Sequence, residues 1–199
     1  MDTRIIHNSK VFHVGSLSLT DEPARSATMA ALEAAKAAGC VMSYDPNYRS
    51  SLWPSAEVAS GHMRSIVGYM DLIKISCEEC ELMCGTTDPQ AAAQVLLDQG
   101  AKVVCVTLDA DGAYVATKDG GATVPSFRVE AVDTTGAGDS FWGGFLCAFV
   151  DSRISPADVT LEDAKGFARF GNAVASLCVR SRGAIPSMPT LAEVEKVLG

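Results

Sequence analysis

The sequence contains no hydrophobic stretch long enough to cross a lipid bilayer. Its longest apolar run, Phe141–Val150, has ten residues, whereas a membrane-spanning helix needs about 20. The first ten residues carry neither an apolar segment nor a signal-peptide cleavage pattern. These observations predict a protein that is neither inserted in a membrane nor secreted.

Positive charge is also scarce. Lys and Arg total 16 against 24 Asp and Glu, so the formal net charge is −8. A nucleic-acid binder normally shows a basic face, and an anionic membrane surface attracts basic segments. The charge balance therefore argues against nucleic acid and against a membrane surface as partners.

The seven cysteines are odd in number and scattered, which is typical of reduced thiols and predicts a cytoplasmic protein. Cys77, Cys80 and Cys84 form a C-x2-C-x3-C pattern. No further Cys or His pair follows at zinc spacing. We interpret the three thiols as small apolar residues on one side of a helix, and a thiol-bound metal is the alternative.

Apolar runs alternate with helical patterns in the first half of the chain. We predict strands at 11–14, 41–44, 72–75 and 102–107, and helices at 21–38, 56–69, 79–83 and 91–98. This alternation indicates an α/β fold with a mainly parallel sheet. The second half predicts two strands, 112–116 and 123–129, around a turn at 119–121, and helices at 140–150, 161–179 and 191–198.

The sharpest local signal is the segment Asp133–Phe141, which reads DTTGAGDSF. The small residues at 136–138 let the backbone pass close to a ligand, and a helix follows directly. Free amide groups at a helix N-terminus bind anions, and phosphate is the usual occupant. Asp139 lies at the mouth of this site. The pattern suits phosphoryl transfer, in which amides hold the moving charge and a carboxylate deprotonates an alcohol.

The same spacing is compatible with a glycine-rich helix start that only packs closely. A dinucleotide-binding fingerprint would need glycine at position 141, which is Phe. A P-loop would need Gly-Lys-Ser/Thr after the glycines, and none follows. From the residues alone, an anion site and a packing motif both remain open.

Four segments, in the right order, resemble the PfkB or ribokinase-like family of carbohydrate kinases. Asp133–Phe141 resembles the C-terminal signature of that family. Three further segments resemble the fructokinase branch of the family. They are SYDPNYR with LWPS within 43–55, KISCEE at 74–79 and RGAIPSMP at 182–189. The resemblance extends from about Val11 to the C-terminus and implies a ribokinase-like Rossmann-type sheet flanked by helices.

The resemblance implies a role for each matching residue. Asp139 matches the catalytic base that takes the proton from the sugar hydroxyl. Three residues match the anion hole around the transferred phosphoryl group: Gly136, Ala137 and Gly138. Four match positions that hold a monovalent cation, expected to be K⁺: Asp133, Thr135, Gly183 and Ser187.

Other matches concern Mg²⁺ and the nucleotide. Glu79 matches the glutamate that orients Mg²⁺ through water, with Ser76 where the family has Asn; a solvated helix start is the alternative. Thr107 and Gly112 match a Thr-Leu-Gly-x-x-Gly turn that contacts the nucleotide, although Asp109 replaces its first glycine. A position that lines the adenine pocket is matched by Asn172.

Asp45, Asn47 and Arg49 follow a predicted strand, at the end where open α/β sheets place ligands. The Arg49 guanidinium suits a phosphate oxygen, so we count Asn47 and Arg49 among the nucleotide-binding candidates. An Asp45–Arg49 ion pair that only orders the loop is the alternative.

The resemblance implies an ATP-dependent sugar kinase, with fructokinase as the first hypothesis. Such an enzyme moves the γ-phosphoryl group of ATP to a primary hydroxyl of fructose, with Mg²⁺ and K⁺. The alternatives are a 2-keto-3-deoxygluconate kinase, whose relatives carry a similar DPNxR segment, a non-catalytic nucleotide-binding fragment, and the thiol–metal protein. A second copy of the chain, forming a homodimer, is a candidate partner.

Family members are longer at the N-terminal side, where they carry early strands, a lid over the sugar and positions that bind sugar hydroxyls. Nothing before Val11 resembles those elements. We therefore expect residues 1–199 to be the C-terminal part of a single PfkB-type kinase domain, with the ATP site and the catalytic Asp but without the N-terminal strands and lid. We expect this chain alone to bind ATP weakly and to phosphorylate little fructose.

Overall fold

Strands and helices alternate along the computed structural model, which describes residues 3–199. The strands are β1 (Val11–Gly15), β2 (Val41–Asp45), β3 (Leu72–Ser76), β4 (Val103–Thr107), β5 (Ala113–Thr117) and β6 (Gly120–Val124). The α-helices are α1 (Arg4–His7), α2 (Ala24–Ala37), α3 (Ala56–Ser65), α4 (Cys80–Cys84), α5 (Pro89–Asp98), α6 (Ala137–Ser152), α7 (Leu161–Cys178) and α8 (Leu191–Leu198). None of the helices within residues 3–199 is long and apolar enough to cross a membrane.

The strands form one sheet in the order β1-β2-β3-β4-β5-β6. β1, β2 and β3 run parallel, with Val11 opposite Val41 and Ser43 opposite Leu72. β5 and β6 form an antiparallel hairpin. The predicted α/β class, with a mostly parallel sheet flanked by helices, is confirmed. Two compact units divide the chain within β4, the first ending at Val104 and the second beginning at Cys105.

In the first unit, the strands are apolar because both faces of a parallel sheet are covered. β3 buries Leu72, Ile73 and Ile75 almost completely, and full burial of one such side chain contributes about 1.5–3 kcal/mol. Polar exceptions occur near the carboxyl ends of β2 and β3, where Asp45 and Lys74 are also buried. Such buried charges need partners.

Capping residues explain where several helices begin. The Ser55 hydroxyl accepts the Val58 amide at 3.2 Å before α3, and the Asp88 carboxylate accepts the Ala91 amide at 2.8 Å before α5. These side chains satisfy amides that have no acceptor within the helix. The end of α3 differs from the prediction, since the helix stops at Ser65 and a 3₁₀ turn follows over Val67–Tyr69. Gly68 lowers the helical propensity there.

Close packing of α6 against α7 forms the core of the second unit. Phe145 stacks on Trp142 with ring centroids 4.8 Å apart and meets Phe167 edge-on at 5.6 Å. A Cβ atom at Gly171 would lie 2.6 Å from the carbonyl oxygen of Phe141. Glycine at this position therefore lets the two helices approach, and their packing fixes the start of α6. The predicted core positions on α6, namely Phe141, Phe145 and Phe149, are confirmed as buried.

The predicted strand over 123–129 is wrong in position, because β6 spans Gly120–Val124 and the turn lies at Lys118 and Asp119. Pro125 follows β6 and has no N–H to continue the ladder. The side-chain amide of Asn172, on α7, donates to the carbonyl oxygens of Val124 and Pro125 at 3.0 and 3.2 Å. These tertiary hydrogen bonds satisfy two backbone carbonyl groups at the point where the strand ends.

We expect Gly171→Ala to destabilise the fold by about 1–3 kcal/mol, because the added methyl group forces α6 and α7 apart. Gly166→Ala, on the same helix, is the matched control, since nothing lies within 4 Å of its added Cβ. That change should stabilise the helix by up to about 1 kcal/mol. Urea unfolding of both variants measures the difference, and equal stabilities would contradict the packing argument.

Candidate functional site

The start of α6 presents backbone amides at the positive end of a 16-residue helix. Gly136 precedes the helix in a left-handed conformation with φ 78°. The Ala137 amide donates to the Thr134 carbonyl at 3.1 Å, and the Ser140 amide donates to the Gly136 carbonyl at 2.8 Å. Between them, Gly138 and Asp139 lie in the first turn, where the helix itself offers their amides no acceptor. This is the arrangement that binds anions.

Glycine is required at position 136 for two reasons. Its positive φ is strained for a residue with a side chain, and a Cβ there would lie 2.5 Å from the Cβ of Ala184. The loop around Ala184 therefore lies directly against the amide-presenting segment. The close packing of this helix start is confirmed, and its first-turn amides lack helical acceptors as at any helix start, so anion binding by the segment stays a prediction.

The carboxylate of Asp133 joins this segment to the loop at 183–187. Its two oxygens accept the amides of Thr135 and Gly183, each at 2.9 Å. These hydrogen bonds lower the pKa of Asp133 from 3.8 to about 2, and the one from the Gly183 amide has the largest effect. The positive charge of Arg182 adds a minor lowering. In the same loop, the Ser187 hydroxyl donates to the Arg182 carbonyl at 3.1 Å. The structure thus brings Asp133, Thr135 and Gly183 into direct contact, with Ser187 in the adjoining turn.

Asp139 is exposed in the first turn of α6. Its position along the helix places a carboxylate next to the free amides of that turn. An alcohol brought to this carboxylate can give up its proton there while the amides face the negative charge of a phosphoryl group. The neighbouring aromatic core holds the helix in place, so the carboxylate is carried by a rigid element.

The turn after β4 forms even though Asp109 stands where the resembled motif has glycine. Asp109 takes a left-handed φ of 51°, a conformation that Asp tolerates better than most residues. The Leu108 amide donates to the Gly112 carbonyl at 2.8 Å. Gly112 has a φ of 103°, and a Cβ there would overlap the Val124 carbonyl oxygen. Thr107 is half-buried at the end of β4.

Asn172 is buried in the same unit. Its amide nitrogen is committed to the carbonyl oxygens of Val124 and Pro125, the residues that pass close to Gly112. Asn172 and Gly112 therefore shape the same short stretch of backbone from two sides. Contact of Asn172 with a nucleotide base stays a prediction.

In the first unit, Glu79 is buried and uses both carboxylate oxygens. One accepts the Tyr48 amide at 2.7 Å and the other accepts the Ser76 amide at 2.8 Å. Ser76 forms a reciprocal capping box with Glu79, a motif in which Ser is a favoured first residue. The interpretation of Glu79 as part of a solvated helix start is wrong, although Glu78 and Glu81 are exposed.

The loop-ordering ion pair of Asp45 with Arg49 is also wrong. Asp45 pairs with Lys74, with 2.8 Å between the carboxylate oxygen and Nζ. Arg49 is exposed, and its guanidinium donates to the Tyr48 carbonyl at 2.9 Å. Asn47, with φ 50°, donates its amide to the other Asp45 oxygen at 3.1 Å. Sequence reasoning missed Lys74, and the available signal was a lysine inside the apolar strand LIKIS.

The C-x2-C-x3-C thiols have the character of packed side chains. Burial raises the pKa of Cys80 to about 12 and that of Cys84 to about 11, so both thiols are protonated at neutral pH. Within residues 3–199, no three His, Cys, Asp or Glu side chains are grouped as ligands of one metal ion. The geometry gives the thiol–metal hypothesis no support.

A sequence model of the pfkB family carbohydrate kinases matches residues 2–191. The chain belongs to this family. Fructokinase-2 of Solanum habrochaites is 43% identical over 195 residues, which cover 98% of this chain and 59% of the relative. This PfkB-family chain therefore spans about 59% of the length of that curated relative.

Two solved structures have a similar fold. Fructokinase from Vibrio cholerae O395, in its fructose-, ADP- and calcium-bound form, is 34% identical with a TM-score of 0.84, over 94% of this chain and 60% of that one. Fructokinase from Xylella fastidiosa with bound ATP is 31% identical with a TM-score of 0.88, over 100% of this chain and 64% of that one. The ribokinase-like sheet implied by the sequence resemblance is confirmed.

The lowered pKa of Asp133 predicts a pH-dependent contribution to stability. Because the folded-state pKa lies below 3.8, the ionised carboxylate stabilises the fold at higher pH, and this contribution is lost as the pH falls from 3.8 towards about 2. We expect Asp133→Ala to lower the melting temperature at neutral pH, and the difference from wild type to shrink across that acidic interval. Asp151→Ala, at an exposed aspartate near the end of α6, is the control. A pH-independent difference would contradict the assignment.

Proposed function

We propose that this chain provides the phosphoryl-transfer machinery of an ATP-dependent sugar kinase, with fructose as the acceptor. The observation that carries the proposal is the start of α6, where the exposed Asp139 carboxylate stands beside first-turn amides that have no helical acceptor. Asp133 holds this segment to the 183–187 loop. We propose residues 1–199 as the part of a PfkB-type kinase domain that contains the ATP site and the catalytic Asp.

In the proposed reaction, a primary hydroxyl oxygen of the sugar attacks the γ-phosphorus of ATP, and the bond to the leaving ADP oxygen breaks. Asp139 accepts the hydroxyl proton. A weak base is adequate, because the proton leaves late in a loose transition state. The anion hole is assigned to Gly136, Ala137 and Gly138, and at the positive helix end the free Gly138 amide faces the charge on the transferred group.

The donor atoms available in the chain fit the two proposed cations. Glu79 is a buried carboxylate fixed by two amides, and a carboxylate suits the water shell of Mg²⁺. Asp133, Thr135, Gly183 and Ser187 offer carboxylate, hydroxyl and carbonyl oxygens, the hard ligands that K⁺ prefers. When bound, Mg²⁺ neutralises charge on the ATP phosphates. We assign Glu79 to Mg²⁺ and the four other residues to K⁺.

The nucleotide is assigned to residues around β4 and its following turn. Gly112 and Asn172 shape the backbone at 124–126, and we propose that this backbone, with Thr107, borders the base. Asn47 and Arg49 are assigned to phosphate oxygens, which the exposed guanidinium of Arg49 supports.

Seven free cysteines support a reducing compartment, and we propose the cytoplasm.

Relatives support fructose as the sugar. The Solanum relative is named a fructokinase, and the Vibrio structure contains fructose and ADP. The alignment with the Solanum relative covers 98% of this chain. A keto-acid sugar or a nucleotide without any sugar are the competing outcomes of the experiment below.

Calorimetric titration of the 199-residue chain with ATP–Mg²⁺ tests the proposal, with and without fructose and in K⁺ or Li⁺ buffers. We expect binding of ATP–Mg²⁺, and slow fructose phosphorylation that K⁺ accelerates relative to Li⁺. A response to 2-keto-3-deoxygluconate alone would replace fructose as the acceptor. Binding of ATP without phosphorylation of any sugar would favour a nucleotide-binding role, and absence of ATP binding would overturn the proposal.

In a full-length kinase that carries this chain as its C-terminal part, Asp139→Asn should remove the base and keep the amides of the first turn. Loss of a positioned general base lowers the rate by about 10²- to 10⁴-fold, and the affinity for ATP should change little. Asp151→Asn, on the same helix, is the matched control. The rate of ADP release with fructose present measures the effect, and turnover within a few-fold of wild type would show that Asp139 is not the base.

A further inference from the structure

Lys74 is the buried cation of a polar network at the ends of β2 and β3. The network consists of Asp45, Lys74 and Glu79, with the backbone amides of Asn47, Tyr48 and Ser76. Lys74 has 6% exposure and lies among Leu72, Ile73 and Ile75, which are fully buried. A lysine in such surroundings is costly unless it is paired. The Asp45 carboxylate, also buried, supplies the partner at 2.8 Å.

The contacts of this network form a ring that begins and ends on β3. Lys74 holds one oxygen of Asp45, and the other oxygen accepts the Asn47 amide at 3.1 Å. The next amide, that of Tyr48, donates to Glu79, whose second oxygen accepts the Ser76 amide. Ser76 is two residues beyond Lys74 on the same strand. The ion pair therefore lies at one side of a circuit whose other side is Glu79.

The charges of the network require the lysine. Burial raises the pKa of Asp45, the contact with Lys74 opposes that rise, and the negative charge of Glu79 adds to it. Without Lys74, Asp45 would be a buried acid next to a second one. It would then bind a proton or turn towards water, and in either case its hold on the Asn47 amide would change.

Ser16 also anchors the turn at 45–49. The Ser16 amide and hydroxyl donate to the Pro46 carbonyl at 3.0 and 2.5 Å. Ser16 fixes the start of the turn, and the Asp45 carboxylate fixes the following amide. Asn47 is held in a left-handed conformation with φ 50°, which Asn adopts more readily than most residues. The direction of the Tyr48 amide towards Glu79 depends on that conformation.

We propose that Lys74 is a positioning residue for the Glu79 carboxylate. Lys74 holds Asp45, and Asp45 sets the conformation of the 45–49 turn. The turn then holds Glu79 in the orientation used towards Mg²⁺. The inference rests on the proposed function only for the Mg²⁺ step. Lys74 contacts Asp45 and acts on Glu79 through the turn, so its loss should act on cation dependence and on the order of the turn together.

Lys74→Met tests this proposal, because it keeps the length of the side chain and removes its charge. Lys102→Met, at an exposed lysine of the same unit, is the matched control. The first readout is amide hydrogen exchange in the 199-residue chain. We expect faster exchange at Asn47 and Tyr48 in Lys74→Met alone, with no change at the Met42 amide, which donates to Asp71 outside the network.

The second readout is the Mg²⁺ concentration that half-saturates ATP binding. We expect Lys74→Met to raise it by about 10-fold, as the loss of a partner that orients a metal-site ligand does, and Glu79→Gln to raise it as well. Asp45→Asn/Lys74→Met removes both charges. We expect this double variant to regain stability, because neither Asp45 nor Lys74 is then left as an unpaired buried charge, and to keep the raised Mg²⁺ requirement. The double variant also serves if the single one does not fold.

Four results would overturn one claim or the other. Unchanged exchange at Asn47 and Tyr48 in Lys74→Met would show that the ion pair does not set the turn. A wild-type Mg²⁺ requirement in Lys74→Met, while Glu79→Gln raises it, would end the positioning role. So would a double variant that recovers stability and Mg²⁺ dependence together, since Lys74 would then be only structural. A wild-type chain without Mg²⁺-dependent ATP binding would overturn the proposed function, while exchange would still decide whether Lys74 sets the turn.

Discussion

Carboxylate oxygens that accept backbone amides hold both candidate segments of this chain. Asp133 accepts the amides of Thr135 and Gly183, and Glu79 accepts those of Tyr48 and Ser76. Each carboxylate connects stretches of chain that are far apart in sequence. A charged acceptor strengthens such bonds roughly twofold over neutral ones. The loops that surround the candidate sites are therefore ordered by the same side-chain chemistry that gives the chain its negative charge.

Glycine acts together with these carboxylates. Gly136 and Gly112 take positive φ values, and a side chain at either would collide with a neighbouring segment. The space that they leave is filled by backbone and by Ala184, so the loops lie close to one another. The amides at the start of α6 are free of helical acceptors because they belong to the first turn, and the glycine packing holds the Ala184 loop against them. A phosphate site built in this way depends on backbone positions more than on side-chain charge.

The phosphoryl-transfer chemistry proposed for these segments agrees with membership of the pfkB family. It also agrees with the α/β class and the mostly parallel sheet. Family membership is shown by the match over residues 2–191, whereas the reaction is supported by the geometry at α6 and by the names of the relatives. The chain spans 59% of the Solanum relative, so the activity of the whole protein remains a proposal. Asp139 is the residue on which that proposal depends most directly.

Local sequence determined the strands, the helices and the segment 133–141. Apolar periodicity, caps and small residues are properties of neighbouring positions, which is why β1 to β5 lie close to where the pattern predicts them. The sequence also indicated Asp139 through the residues of its own segment, whereas the roles of Glu79 and Asp133 came from the resemblance.

Only the tertiary structure decided the contacts between distant positions. Lys74 and Asp45 are 29 positions apart, and Asn172 and Val124 are 48 apart, so no local pattern links them. The same reason explains the errors, since Asn172 and Pro125 end β6 early and Lys74 takes the place that the alternative interpretation gave to Arg49. A buried charge or amide must find a partner wherever the fold brings one, and that choice becomes visible only when the strands lie side by side.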